Sequence, residues 1–289
     1  VKKALVIGNG ESRAWFKPKA SDHPTRTPTI QDPDIITWGC NAIHRQGNHC
    51  VNNLVAMDYA MQQEIYDSGW AISDPEYNRL HSLYFANWTI VPSEVADMML
   101  MGFDIPETFI HKSKKRTDQC VISGKDPVTL HEKVESAIKQ FPDLDMNDLK
   151  LKMEKDVGIW ITYVDTYDAV NSIEDHVGWS AGNTALSLAC QSDAEEVYIL
   201  GFDLSSYDKP INNLYKGTYN YLPETSKGFN PINWINQISE VFKSYPDKSF
   251  YWVDCQLENL PIEYRWLLDD NLGRYSISKE KLCEKLKII

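Results

Sequence analysis

Several apolar runs in this chain stop at residues able to hold a small polar ligand. Ala4 to Ile7 runs into Gly8-Asn9-Gly10-Glu11-Ser12, residues 35–38 into Gly39-Cys40-Asn41, residues 54–57 into Asp58, and residues 197–200 into Gly201-Phe202-Asp203. Glycine allows close approaches that a Cβ forbids, and a strand end exposes backbone N–H groups. Ser180-Ala181-Gly182-Asn183 opens a stretch with helical composition, and a helix start supplies unpaired N–H donors and the positive end of a dipole. Together these groups suit a nucleotide or another phosphate-bearing ligand. The first turn reads equally as a tight strand-to-helix connection with no ligand. Arg13 stands where a dinucleotide fingerprint needs its third glycine, and no Gly-Lys-Ser/Thr follows, so neither of the best-known phosphate loops is present.

Groups able to move a proton are few. Histidines occur at 23, 44, 49, 81, 111, 131 and 176, and His176, just before the Ser180 helix start, is placed to reach the crevice. Cysteines 40, 50, 120, 190, 255 and 283 form no Cys-x-x-Cys pair, so neither a zinc site nor a disulfide framework is expected. Cys190 and Cys255 sit in apolar runs and read as small buried hydrophobes.

A formal charge of −12, from 29 basic and 41 acidic residues, disfavours nonspecific binding to nucleic acid or anionic membranes. The one basic cluster, 112–116, reads as a solvated loop. No apolar run is long enough to span a bilayer, and the first residues already read as a core strand, so a cytoplasmic location is expected.

These clusters need a scaffold. Buried strands at 4–7, 35–38, 54–57, 89–91, 159–164, 197–200 and 250–253 alternate with helical or loop connections, with 250–253 the last strand. Helices are expected at 12–16, 59–66, 131–141 and 184–190, and in a tail that places Leu282, Leu286 and Ile289 on one face. The pattern is α/β, a doubly wound, mainly parallel, Rossmann-like sheet in a single domain over 1–289. Residues 93–155 read as an insertion or peripheral subdomain. Residues 205–234, with Tyr207, Tyr215, Tyr219, Tyr221 and Trp234 among Asn, Gly and Pro, read as a lid or a long surface loop.

The strand-end motifs resemble those of bacterial sialyltransferases of glycosyltransferase family 42, and of the related superfamily of 6-hydroxymethylpterin pyrophosphokinase-like proteins. Gly8 to Ser12 is similar to the family's Gly-Asn-Gly-Pro-Ser, with Glu11 in place of proline. Cys40-Asn41 matches its second strand end, Ser180-Ala181-Gly182 corresponds to its Thr-Ser-Gly helix start, and Leu200 to Leu204 is similar to its Ser-Gly-Ile-Asp-Phe-Tyr strand end. The resemblance implies that Asn9, Gly10, Asn41, Ser180 and Gly182 contact a cytidine nucleotide, and the strand-end reading adds Gly8, Ser12, Asp58 and Gly201 to the nucleotide site. The resemblance also places Tyr207 in the lid, and the residues read as candidates for catalysis are His176, Tyr207 and Asp203. No histidine follows Gly201-Phe202-Asp203, where the sialyltransferases carry a lid base.

The expected function is a nucleotide-dependent transferase, foremost a glycosyltransferase that moves a sugar from a CMP- or other NDP-sugar donor to a glycan or small-molecule acceptor, with no metal required. The competing expectations are a magnesium-dependent pyrophosphokinase or other phosphotransferase, with Asp58 and Asp203 holding the hydrated ion, and a nucleotide-binding protein without catalysis. Oligomerisation is compatible with each.

Overall fold

The computed structural model describes residues 1–16, 30, 32, 34–47, 50–68, 70, 82–86, 118–122, 158–164, 179–204 and 209–288. Its strands are β1 (Lys3–Ile7), β2 (Ile35–Cys40), β3 (Asn53–Ala56), β4 (Ser82–Ala86), β5 (Asp118–Ile122), β6 (Gly158–Val164), β7 (Glu196–Leu200), β8 (Ser249–Val253) and β9 (Arg274–Ile277). Its helices are α1 (Tyr59–Asp67), α2 (Ala181–Gln191), α3 (Ile232–Ser244) and α4 (Lys279–Leu286). The fold is the α/β, mainly parallel, Rossmann-like class expected from the sequence, and it divides into two compact units.

The first unit joins Val1–Asn52 to Trp179–Ile289. Its parallel strands run in the order β2-β1-β7-β8-β9. β1 is central because both its faces are apolar: Ala4, Leu5, Val6 and Ile7 are wholly buried. Alternation along β7, β8 and β9 sends two different sets of side chains to the two faces. On one face Tyr198, Tyr251 and Tyr275 are in register and their rings stack at 4.7 and 4.9 Å between centroids. Lys285 of α4 lies 4.5 Å from the Tyr251 ring, so α4 covers that side. On the other face Phe250 stacks on Phe242 of α3 at 3.8 Å, beside the buried Arg274. Helices on opposite faces make the sheet of this unit doubly wound.

The second unit is Asn53–Gly178. Within it β3, β4 and β6 are parallel neighbours, and β5 pairs antiparallel with β6. β5 is the described part of the expected insertion. The rest of that insertion, the expected helix at 131–141 and the expected strand at 89–91 lie outside the described residues, and the strand described here is Ser82–Ala86.

Four expectations are corrected. The stretch 12–16 is a single 3-10 turn, Glu11–Arg13, because the Arg13 side chain turns inward instead of continuing a helical face. Val253 does not end the sheet: β9 follows, a four-residue edge strand with too little alternation to be read from Arg274-Tyr275-Ser276-Ile277. Trp234 belongs to α3 and not to a loop, since Ile235, Ile238, Val241 and Phe242 form a buried helical stripe. α2 starts at Ala181, three residues earlier than expected, because Ser180 caps it by accepting from the Asn183 N–H. No helix among the described residues is long and apolar enough to cross a membrane.

Candidate functional site

In the first unit β2 and β7 lie on opposite sides of β1, so the strand order reverses there. In open α/β sheets such a reversal leaves a crevice beyond the carboxyl ends of the strands. A pocket of about 170 Å³ occupies that place. Its walls are Gly8, Asn9 and Gly10 after β1, Cys40 and Asn41 at the end of β2, Gly201 to Leu204 after β7, and Ser180 to Asn183 at the start of α2. Asn212, Asn213, Trp234 and Ile238 complete it.

The glycine turn is built for packing. Neither Gly8 nor Gly10 has a positive φ. A Cβ on Gly8 would stand 2.4 Å from the Gly201 carbonyl oxygen, and one on Gly10 would stand 2.5 Å from the Asp203 carboxyl carbon. Four of the five N–H groups from Gly8 to Ser12 are also engaged, and that of Asn9 has no acceptor among the described residues. Gly8 donates to Leu200 O at 2.8 Å, Gly10 to Gly201 O at 2.9 Å, Glu11 to Asn212 Oδ1 at 2.8 Å, and Ser12 to Asp203 Oδ2 at 2.8 Å. An anion on this turn could meet the Asn9 N–H, but to reach those of Gly8 or Gly10 it would have to displace the bonds that join β1 to β7. The tight-turn reading of Gly8 and Gly10 therefore describes their backbone.

Behind the turn lies Arg13, fully buried. Its guanidinium donates to Gly8 O, to Asn9 Oδ1 at 3.1 Å and to Tyr215 OH at 3.3 Å. Among the described residues no carboxylate forms an ion pair with it, so neutral acceptors alone compensate a buried cation. Asn9 is thereby oriented: Oδ1 faces Arg13, and Nδ2 donates to Cys40 O at 3.2 Å and to Tyr221 OH at 3.3 Å. Burial pushes the Tyr215 hydroxyl pKa up, against the opposing pull of Arg13.

Asp203 holds the same turn in place. Both its carboxylate oxygens accept from Ser12, one from the backbone N–H and the other from the hydroxyl. Its charge adds to burial in pushing the neighbouring Cys255 thiol up to about 12.

Further free donors come from elsewhere. α2 begins under the Ser180 cap, and its first carbonyl-bound amide is Thr184, which donates to Ser180 O. The Ala181 and Gly182 amides thus lack intrahelical acceptors at the pocket wall. Asn212 Oδ1 accepts from the Glu11 N–H, and Asn213 Oδ1 accepts from the Tyr215 N–H at 2.9 Å. A backbone N–H can only donate, so these contacts fix both amides with their NH₂ ends free of the bond. The start of α2 and the two loop asparagines thus bring neutral donors, suited to phosphoryl or carboxylate oxygens, to a wall that also carries the Asp203 carboxylate.

The chain matches no protein-family model, no curated protein and no solved structure.

Of the residues singled out in the sequence, Gly8, Asn9, Gly10, Asn41, Ser180, Gly182, Gly201 and Asp203 come together in this pocket. Ser12 supports it from behind through Asp203. Asn41 sits in the left-handed region at φ 51°, where its carbonyl oxygen contacts His44 Nδ1 at 3.1 Å. Asp58 belongs to the second unit, where it is exposed and its carbonyl oxygen accepts the Gln62 N–H that opens α1. His176 and Tyr207 lie outside the described residues. No cluster of three His, Cys, Asp or Glu side chains fit to hold a metal ion occurs among the described residues.

The expected lid, 205–234, is described from Lys209 onward, and its turns are tied to the strand ends. Leu214 donates its N–H to Asn9 O at 2.8 Å, and Arg45 donates to Thr218 Oγ1 and Tyr219 O, both at 2.7 Å. Sequence reading missed Asn212, Asn213, Trp234 and Ile238 as pocket residues. The helical stripe beginning at Ile232 was the available signal for the last two.

Proposed function

We propose that this protein is a nucleotide-dependent transferase, and specifically a glycosyltransferase that takes a CMP- or other NDP-sugar donor. The observation that carries the reading is the donor-lined wall at the strand-order reversal: the Ala181 and Gly182 amides and the Asn212 and Asn213 side chains face one pocket. Donor phosphate oxygens would sit against the start of α2, where aligned peptide dipoles favour negative charge. The glycine turn would shape the floor, and of its N–H groups only that of Asn9 is left to donate to the phosphate. The segment from Lys209 to Pro231, latched over Asn9, would help exclude water so that transfer outruns hydrolysis. The acceptor hydroxyl needs a group to take its proton, and His176 and Tyr207 are the sequence's candidates for it. Asp203 would act as a positioning residue, since Ser12 occupies both its oxygens.

Thermal unfolding in the presence of CMP, CDP, UDP, GDP, ADP and ATP, each with magnesium or with EDTA, tests this. A cognate nucleotide at ~100 times its dissociation constant should stabilise the fold by about 2.7 kcal/mol. The gain should persist in EDTA. Stabilisation that appears only with magnesium would favour phosphoryl transfer, and none with any nucleotide would refute the proposal.

A further inference from the structure

Asn183, the third residue of α2, is 1% exposed and lines the pocket. Its amide orientation follows from two backbone atoms. The Ser180 N–H lies 3.0 Å from one side-chain atom of Gln237, which must be the oxygen Oε1 because a backbone N–H only donates. The Asn183 atom 2.9 Å from that oxygen must then be Nδ2. The same atom lies 3.2 Å from the Trp234 carbonyl oxygen, which only accepts, so both constraints agree. Both amide protons are spent. Oδ1 receives no donor from the described residues, yet it is not one of the enclosed side-chain atoms that lack a partner. It therefore keeps access to open space, and the space this residue borders is the pocket.

We infer that Asn183 Oδ1 accepts a hydrogen bond from the ligand, and so selects molecules that carry a hydroxyl or amine beside the group seated on the first amides of α2. The inference rests on the nucleotide reading of the pocket and sharpens it. A deprotonated phosphate oxygen would meet a lone pair at Oδ1, which moves the phosphate toward Ala181, Gly182 and the two loop asparagines. The neutral, donor-bearing part of the ligand takes the position at Asn183. Three parts of a nucleotide sugar offer such a donor: an exocyclic base amine, a ribose hydroxyl or a sugar hydroxyl. A site that hydrogen-bonds a ligand group discriminates strongly against the analogue lacking it, because its own polar atom is then left unpaired.

The test is titration calorimetry on wild type and Asn183→Ala with ligands that differ in one donor. The pairs are CMP against its 4-deamino (pyrimidin-2-one) analogue for the base amine, CMP against its 2′-deoxy and 3′-deoxy forms for the ribose, and a nucleotide sugar against its monodeoxy-sugar analogues. In wild type one deletion should weaken binding about ten- to a hundredfold, and that deletion identifies the source. In Asn183→Ala the same pair should differ by less than about threefold, the coupling read by a double-mutant cycle. If Asn183→Ala does not fold, Asn183→Ser makes the same comparison. Wild-type affinity unmoved by every single-donor deletion overturns the inference alone, as does full discrimination in a folded variant. Failure of every nucleotide and nucleotide sugar to bind overturns the reading of the pocket and the inference with it.

Discussion

Replacing Gly8 with alanine tests whether the glycine turn is a packing device. An ideal Cβ there lies 2.4 Å from the Gly201 carbonyl oxygen and 2.8 Å from a Phe202 ring carbon. A carbon–oxygen contact needs about 3.3 Å, so the two chains must part by roughly 1 Å. The bonds from Gly8 N to Leu200 O and from Gly10 N to Gly201 O, at 2.8 and 2.9 Å, would then stretch beyond useful hydrogen-bond range. Two lost bonds at about 0.5–1.5 kcal/mol each, with an overpacking cost of about 1–3 kcal/mol, give a destabilisation of roughly 2–6 kcal/mol. Gly182→Ala is the control, because its Cβ would lie 3.3 Å from Phe202 Cζ, at a ring edge that can yield by a few tenths of an ångström. It should stay within about 1 kcal/mol of wild type, helped by the helix preference of alanine over glycine. The readout is the urea midpoint at unchanged slope. A Gly8→Ala protein within about 0.5 kcal/mol of wild type would refute the reasoning, as would a Gly182→Ala protein that loses as much as Gly8→Ala.

Arg13→Met keeps the buried stem but removes the donors to Gly8 O, Asn9 Oδ1 and Tyr215 OH, and should lower stability by about 2–5 kcal/mol in the same urea assay. Arg13→Lys should recover little of this, because a single ammonium cannot reproduce the planar fork, and recovery above half would argue against the assignment. Burial pushes the Cys190 and Cys255 thiols up to about 12, above the ordinary thiol value of 9.0. The unfolded chain therefore loses these protons first, so their contribution to stability is complete below pH 9 and is lost as pH rises from 9 toward 12. A thiol reagent at pH 8 should leave both unmodified in the native protein and label both in urea; native labelling of either would contradict its placement.

Much of the scaffold was legible because β1, β2, β3 and β7 are short apolar runs that stop at glycine or a small polar residue. Their strand ends named eight of the pocket residues, since parallel strands must bring their carboxyl ends to one edge. What those residues do was less legible. Asn9 and Gly10 look like ligand contacts in sequence, yet the Asn9 side chain and the Gly10 N–H are engaged by Arg13, Cys40, Tyr221 and Gly201. These partnerships join residues up to 212 positions apart, so no local pattern announces them. Asn212 and Asn213 were hidden for the same reason: their role depends on the backbone atoms of Glu11 and Tyr215 that turn them. β9 escaped notice through brevity, and α3 because Asn, Gly and Pro just before it suggested that the loop continued.

The split of the first unit across Val1–Asn52 and Trp179–Ile289 has a consequence for the order of events at the ribosome. β1 is made before the other strands of this sheet, but one of its two neighbours, β7, begins only at Glu196. At about 5–20 residues per second, the chain between β1 and Leu200 takes roughly 10–40 s to synthesise. Throughout that interval Ala4 to Ile7, the most apolar strand of this sheet, has no partner on its β7 edge. An unpaired apolar edge is a template for pairing with another chain, so the nascent protein is at its most aggregation-prone well before its pocket can exist. Slower translation would lengthen that exposure, and a chaperone bound over residues 1–10 would cover it. The pocket itself is among the last features to form, because its floor waits for β7 and its wall for α3.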